Sequence, residues 1–212
     1  MFTDRAEAGK LLAKKLSTYA GKDAVVLALP RGGVVTGREV ARALSLPLDI
    51  VAVRKVGHPE SPEYAVGAVD EHGTTIMNEA EVHTIDTQRL AEETRRQQQE
   101  ALRRSTLYRG GRAPVSVEGK IVIIVDDGIA TGLTMRLAVR CVKTRHPSRI
   151  VVAVPVAPQD AIRALKAEGA DEVVALEPPE EFMGAIGAHY GQFEQVEDTE
   201  VIRLLRPLPG VS

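Results

Sequence analysis

The chain has 212 residues, 27 basic and 29 acidic side chains and a formal net charge of −2. This balance excludes the strong overall charge that is typical of proteins attracted to nucleic acid or to a membrane surface. The hydrophobic fraction of 44% and the charged fraction of 26% exclude intrinsic disorder. A single cysteine, Cys141, excludes an internal disulfide and a cysteine-rich zinc site. With a charged N-terminus and apolar runs too short to cross a bilayer, we expect one cytoplasmic domain over residues 1–212.

Short apolar runs alternate with helical patterns along the chain. Helices are predicted at 4–19, 34–44, 133–146, 161–167 and 198–205, and strands at 24–29, 48–54, 121–125, 149–156 and 171–176. A glycine turn predicts a hairpin between 65–69 and 74–77. This alternation predicts an α/β fold with a doubly wound, mostly parallel sheet, which binds ligands beyond the carboxyl ends of its strands. The loops at 30–33, 55–64 and 126–134 are therefore the predicted site.

Two segments have a biased charge. The region 86–112 holds seven arginines against four acids, and a long polar helix is predicted over 86–108. The region 168–200 holds ten acids and neither lysine nor arginine. We interpret both as solvated faces with internal pairing, and a partner surface is the alternative.

The segment 122–134 carries the strongest chemical signal. Four apolar residues precede Asp126 and Asp127, and the run Ala130-Thr131-Gly132-Leu133-Thr134 then opens a helix. Backbone N–H groups and threonine hydroxyls at a helix N-terminus form a site suited to a phosphate monoester. Two neighbouring carboxylates can accept hydrogen bonds from vicinal hydroxyls. The pattern therefore indicates a 5-phosphorylated pentose, and the alternative is a strand end with a capping acid and a glycine turn.

This segment resembles the phosphoribosyl pyrophosphate (PRPP) signature of type I phosphoribosyltransferases. Two further motifs are similar to motifs of that family and occur in the same order along the chain. They are Leu29-Pro30-Arg31-Gly32-Gly33, where the family binds pyrophosphate, and the pair Arg54-Lys55. The likeness extends over about 2–205 and is greatest to a group of "predicted phosphoribosyltransferases" whose acceptor the resemblance does not name. It implies a hood subdomain from about 70–115 and 177–212. It also implies Mg²⁺ that binds with PRPP and without direct protein ligands, a small nitrogenous acceptor, a place in nucleotide metabolism, and a homodimer as one option.

The resemblance also implies roles for individual residues. The segment 55–69 corresponds to the family's mobile catalytic loop, in which Glu63 is the candidate acid or base, beside Asp126 and Asp127 as catalytic candidates. Tyr64 and Phe182 are candidates for stacking on the acceptor base, and core packing is the alternative. The implied PRPP contacts are Arg31, Gly32, Gly33, Arg54, Lys55, Asp126, Asp127, Gly128, Ala130, Thr131, Gly132 and Thr134.

The same residues also bear on other substrates and on other functions. Ala130 stands where enzymes for 6-oxopurines carry an acid, which disfavours a 6-oxopurine acceptor. One alternative is a PRPP-binding regulator without turnover, with RNA or a protein as its partner on the arginine-rich helix. RNA is disfavoured, because no aromatic residue interleaves those arginines before Tyr108. A phosphatase or pyrophosphatase acting on sugar phosphates is a further alternative.

Overall fold

The computed structural model describes residues 1–207 and contains a five-stranded sheet and a three-stranded sheet. The elements in chain order are α1 (Arg5–Lys15), β1 (Ala24–Ala28), α2 (Gly32–Leu44), β2 (Leu48–Ile50), β3 (Val53–His58), β4 (Ser61–Asp70), β5 (Thr75–Met77), α3 (Glu79–Val82), α4 (Thr87–Arg109), β6 (Ile121–Val125), α5 (Leu133–Lys143), β7 (Arg149–Val154), α6 (Gln159–Glu168), β8 (Glu172–Ala175) and α7 (Asp198–Leu204).

The five-stranded sheet is parallel throughout, with the strand order β2-β1-β6-β7-β8. Both of its faces are covered, which explains why β1, β6 and β7 are continuous apolar runs. On one face Leu27 and Ile124 pack with Met135 of α5. On the other face Ile123 packs with Leu12 of α1. The predicted doubly wound α/β fold is therefore confirmed.

The three-stranded sheet is antiparallel and has the order β3-β4-β5. One face packs on α5 through Ala68 and Leu137, and the other packs on α3 and α4 through Val66 and Leu90. The predicted hairpin between 65–69 and 74–77 corresponds to β4 and β5. The hood boundaries at 70–115 and 177–212 stay a prediction, and residues 208–212 lie outside the described part of the chain.

Two predictions about the second strand and the loop after it were wrong. The predicted strand 48–54 is divided between β2 and β3, which belong to different sheets. The predicted loop 55–64 forms most of a hairpin, in which β3 pairs with β4 as far as His58 and Ser61. The strands come so close at Gly57 that a Cβ there would lie 2.3 Å from the Pro62 carbonyl oxygen. The glycine that suggests a loop is thus required by strand pairing.

The arginine-rich helix α4 is fixed to the parallel sheet by a buried ion network. Asp86 caps its N-terminus, and Gly110 ends it in the left-handed region with φ of 57°. At its last residue, Arg109 donates to Asp49 at 3.0 Å, to Glu71 at 3.2 Å and to the Ile50 carbonyl oxygen at 3.0 Å. These contacts join α4, β2 and the turn after β4. Within residues 1–207, none of the helices combines the length and the apolarity that a membrane crossing needs.

We predict that Arg109→Ala lowers the free energy of unfolding by about 3–5 kcal/mol, because it leaves two buried carboxylates without their partner. The side chains of Asp49 and Glu71 are only 7% and 8% exposed. Urea denaturation followed by circular dichroism measures the change. The control is Arg103→Ala on the same helix, where the side chain is 57% exposed and about 0.5 kcal/mol or less is expected. Equal losses in the two variants would contradict the network's role.

Candidate functional site

The carboxyl ends of β1 and β6 bring two of the predicted motifs together. These strands are parallel neighbours, with Ala28 opposite Val125, so the turn at 30–33 lies directly against Asp126 and Asp127. A Cβ on Gly32 would lie 1.9 Å from Asp127 Oδ2, and a Cβ on Gly33 would lie 2.7 Å from Asp126 Oδ1. Both glycines are therefore required by the close approach of the two loops.

The carboxylate of Asp127 faces the protein interior and is 12% exposed. Its Oδ2 lies 2.6 Å from Nε of Arg5, whose guanidinium lies 3.7 Å from the centre of the Phe193 ring. The Tyr190 hydroxyl donates to the Asp127 carbonyl oxygen at 2.6 Å. The first helix and the C-terminal segment therefore hold this acid in place. The sequence suggests Tyr190 and Phe193 only as further candidates for stacking on the acceptor base, and it gives no sign of Arg5, because no local pattern links these residues to Asp127.

Asp126 faces the cavity and has an unusual proton affinity. Burial and the neighbouring charge of Asp127 raise its pKa well above the ordinary value. The backbone N–H of Asp127 donates to Asp126 Oδ1 at 2.8 Å and opposes part of that effect. The two adjacent acids thus occupy different environments, and Asp126 is the one that can exchange a proton or a hydrogen bond with a ligand.

The loop after the acids encloses a small cavity of about 130 Å³. Gly132 takes φ of 79° and caps the N-terminus of α5, where the first backbone N–H groups of a helix have no partner within the helix. The lining includes the predicted phosphate loop, with Asp126, Gly128, Ala130, Thr131, Gly132 and Thr134, together with Lys55 and Ile186. This arrangement is suited to one phosphate group.

A second cavity of about 490 Å³ adjoins the first, and Lys55 and Thr134 line both. Arg54 and Glu63 also line it, so the hairpin brings three predicted groups to one place. Its far wall comes from α4, with Glu93, Arg96, Gln97 and Arg104. None of the predicted site residues lies on α4. The spacing of these four positions along one helix face was a signal that could have identified them.

Three predicted site residues have other surroundings. Arg31 lies 3.6 Å from Asp198 of α7 and lines neither cavity. Tyr64 donates from its hydroxyl to Glu81 at 2.8 Å and, unlike Glu63, does not line the larger cavity. Phe182 stacks on His189, with ring centres 5.5 Å apart, and packs in an apolar cluster of the C-terminal segment. From that segment it is Ile186 that reaches the phosphate-loop cavity.

A parallel α/β sheet with an acid pair and a phosphate loop at its carboxyl edge defines the class of type I phosphoribosyltransferases. The family model described as "Phosphoribosyl transferase domain" matches residues 3–182, and the chain belongs to this family. The resemblance found in the sequence is thereby confirmed.

Two relatives extend the comparison. The crystal structure of TT1426 from Thermus thermophilus is similar with a TM-score of 0.81 and 45% identity, over 97% of both chains. The protein named "Putative phosphoribosyl transferase Rv0571c" from Mycobacterium tuberculosis is 42% identical over 207 residues, which cover 97% of this chain and 46% of that protein. The chain thus spans about half the length of the curated relative.

We predict that Asp126→Asn raises the free energy of unfolding at pH 7. A carboxyl whose pKa is raised in the folded state binds protons more tightly there, so stability falls as pH rises above the unfolded-state pKa. The amide removes this loss, and the stability of the variant should decrease less between about pH 4 and 7 than that of the wild type. Denaturant titrations across this range measure both effects. Asp160→Asn, at an exposed acid, is the control and should follow the wild type. A less stable Asp126→Asn at pH 7 would contradict the assignment.

Proposed function

We propose that this chain is a cytoplasmic phosphoribosyltransferase domain that binds Mg²⁺ with PRPP and transfers ribose 5-phosphate to a nitrogenous acceptor. The observation that carries this proposal is that two neighbouring cavities share Lys55 and Thr134. The cavity at the start of α5 is lined by Asp126 and the loop 130–134, and the larger cavity beside it is rich in cations. That order of groups matches a donor with a phosphate at one end, a diol in the middle and a diphosphate at the other end.

Each part of the donor has a partner in this arrangement. The 5-phosphate accepts hydrogen bonds from the backbone and threonines of 130–134. Asp126 accepts from a ribose hydroxyl, while Asp127, held by Arg5, supports Asp126 and the turn at Gly32. Lys55 lies between the two cavities, where the diphosphate would meet the ribose. Arg31 would have to leave Asp198 to reach the diphosphate.

The magnesium ion fits this site as a companion of the donor. Within the described residues no group of three or more acids, histidines or cysteines is arranged to hold a metal. Diphosphate and ribose oxygens are the hard ligands that Mg²⁺ prefers, with water completing the shell. When bound, the ion neutralises charge on the leaving diphosphate.

The transfer breaks one bond and forms another at the anomeric carbon. The bond from C1 to the diphosphate oxygen breaks with its electron pair on the diphosphate, and the acceptor nitrogen forms the new bond to C1. The nitrogen loses a proton, and Glu63 is the carboxylate in the larger cavity on the hairpin that can accept it. Enclosure by the hairpin and α4 would limit capture of the cationic centre by water.

The proposal predicts that Lys55→Met weakens binding of Mg²⁺-PRPP by about ten- to a hundredfold, the effect of losing a charge-assisted hydrogen bond. Isothermal titration calorimetry measures the dissociation constant. Lys10→Met, at an exposed lysine on α1, is the matched control and should bind like the wild type. Failure of the wild-type protein to bind Mg²⁺-PRPP would overturn the proposed function, and unchanged binding by Lys55→Met would overturn the place given to the diphosphate.

Turnover is tested by diphosphate release from Mg²⁺-PRPP against purines, pyrimidines, pyridine carboxylates and small amines. With an active acceptor, Glu63→Gln should lower kcat by about a hundred- to ten-thousandfold and leave PRPP binding unchanged, because the amide cannot take the proton. Glu60→Gln, at an exposed acid in the hairpin turn, is the control. Tight PRPP binding without release under any acceptor would favour a regulator, and release without an acceptor would favour a pyrophosphatase.

A further inference from the structure

The middle of α4 presents a polar stripe to the hairpin. Glu93, Gln97, Glu100 and Arg104 follow one another on one helix face and are half-buried, whereas Leu102 of the same helix is exposed. A helix that packs on a sheet normally turns its apolar side inward. Half-buried charged groups cost free energy unless they are paired or bind something polar. The polar groups of the stripe are therefore expected to pair with one another or to bind a polar ligand.

Hydrogen bonds hold this stripe in a defined geometry. Gln97 donates from Nε2 to Glu93 at 2.8 Å and accepts from Nε of Arg54 at 3.0 Å. Arg104 donates from Nε to Glu100 at 2.7 Å. Within residues 1–207, the terminal guanidinium nitrogens of Arg54 have no hydrogen-bond partner. We call Arg54, Gln97 and Arg104 the arginine wall. Hydrogen bonds fix the positions of its side chains, and the terminal N–H groups of Arg54 can still donate to a ligand.

The charge of the larger cavity favours an anion. Burial and then the nearby charge of Arg104 lower the pKa of Arg54, and the charge of Glu100 opposes part of that effect. No aromatic side chain from the described part of the chain lines the cavity, so its polar and charged groups are the means of recognition that it offers. Its charged lining consists of four cations and two carboxylates: Arg54, Lys55, Arg96, Arg104, Glu63 and Glu93.

The arginine wall extends from the hairpin onto α4. Lys55 and Thr134 of the larger cavity are shared with the phosphate-loop cavity. Arg54 and Gln97 are instead shared with a third cavity of about 380 Å³ along α4, which does not include the phosphate loop. The resemblance implies that Arg54 contacts PRPP, whereas Gln97 and Arg104 belong to α4, on which none of the implied PRPP contacts lies.

We propose that the acceptor carries a carboxylate or phosphate group and that this oxyanion binds to the arginine wall. The inference rests on the proposed function and deepens it, since it names the chemical class of the acceptor. Arginine presents a planar fork of donors that matches carboxylate and phosphate oxygens.

The experiment compares ring pairs of which one member carries a carboxylate: nicotinate with its neutral amide nicotinamide, and orotate with uracil, which lacks the carboxylate. Binding is measured by calorimetry on the protein alone and with Mg²⁺-PRPP, and diphosphate release is followed for the same pairs. Arg104→Gln is the test variant. Arg103→Gln is the matched control, because Arg103 pairs with the same Glu100 but does not line the larger cavity. Circular dichroism verifies that both variants fold.

We expect a carboxylate to bind at least about tenfold more tightly than its neutral partner and to be the member that promotes release. Arg104→Gln should remove this preference and leave the affinity for Mg²⁺-PRPP within about twofold, whereas Arg103→Gln should keep the preference. Equal binding of the charged and the neutral compounds overturns the inference. The absence of binding by any of the four compounds overturns it as well. A parallel loss of PRPP affinity in Arg104→Gln also overturns it, since the wall would then hold the donor's diphosphate. Carboxylate binding that depends on Arg104 without any release supports the anion site and overturns the proposed turnover.

Discussion

The site depends on the contact between two glycines and two acids at the ends of neighbouring parallel strands. Gly32 and Gly33 leave no room for a Cβ against Asp127 and Asp126, so the loops after β1 and β6 interlock. Protein interiors cannot absorb such an overlap without displacement, because they are packed to crystal density. The glycines therefore set the distance between the turn, the acids and the phosphate loop, which follows Asp127 directly.

The acid pair shows how one structure gives adjacent carboxylates separate roles. The carboxylate of Asp127 pairs with Arg5, and the guanidinium of Arg5 stacks on Phe193. The negative charge of Asp127 is thus neutralised within the protein. Asp126 is half-buried beside that negative charge, and both effects raise its pKa. A group that is unfavourable for stability and faces a cavity is typical of functional sites, where binding of the ligand compensates for the cost.

Local patterns allowed prediction of the parallel sheet, the phosphate loop and the acid pair, because each is encoded by adjacent residues. The hairpin of β3 and β4 was missed since Gly57 and the nearby prolines are turn signals, and only the partner strand reveals why the glycine is needed. Tyr64 follows Glu63 in an extended strand, where successive side chains point to opposite faces. Recognising that strand in the sequence would have predicted that the two side chains point in opposite directions. Contacts such as Arg5 with Asp127 join distant parts of the chain, and no sequence window contains both.

The arginine-rich helix illustrates why charge composition alone does not define a partner. Several of its arginines are neutralised within the helix, as in the pairs of Arg96 with Glu93 and Arg103 with Glu100, which leaves little of the unpaired basic surface that nucleic acid requires. What distinguishes Arg104 is its half-buried place beside Arg54. The acid pair and the loop 130–134 lie at the carboxyl edge of the parallel sheet, whereas the wall lies on α4 and on β3 of the three-stranded sheet. In the proposed function, donor and acceptor are thus bound mainly by different elements, so that a change in α4 can alter acceptor recognition without altering the parallel strands.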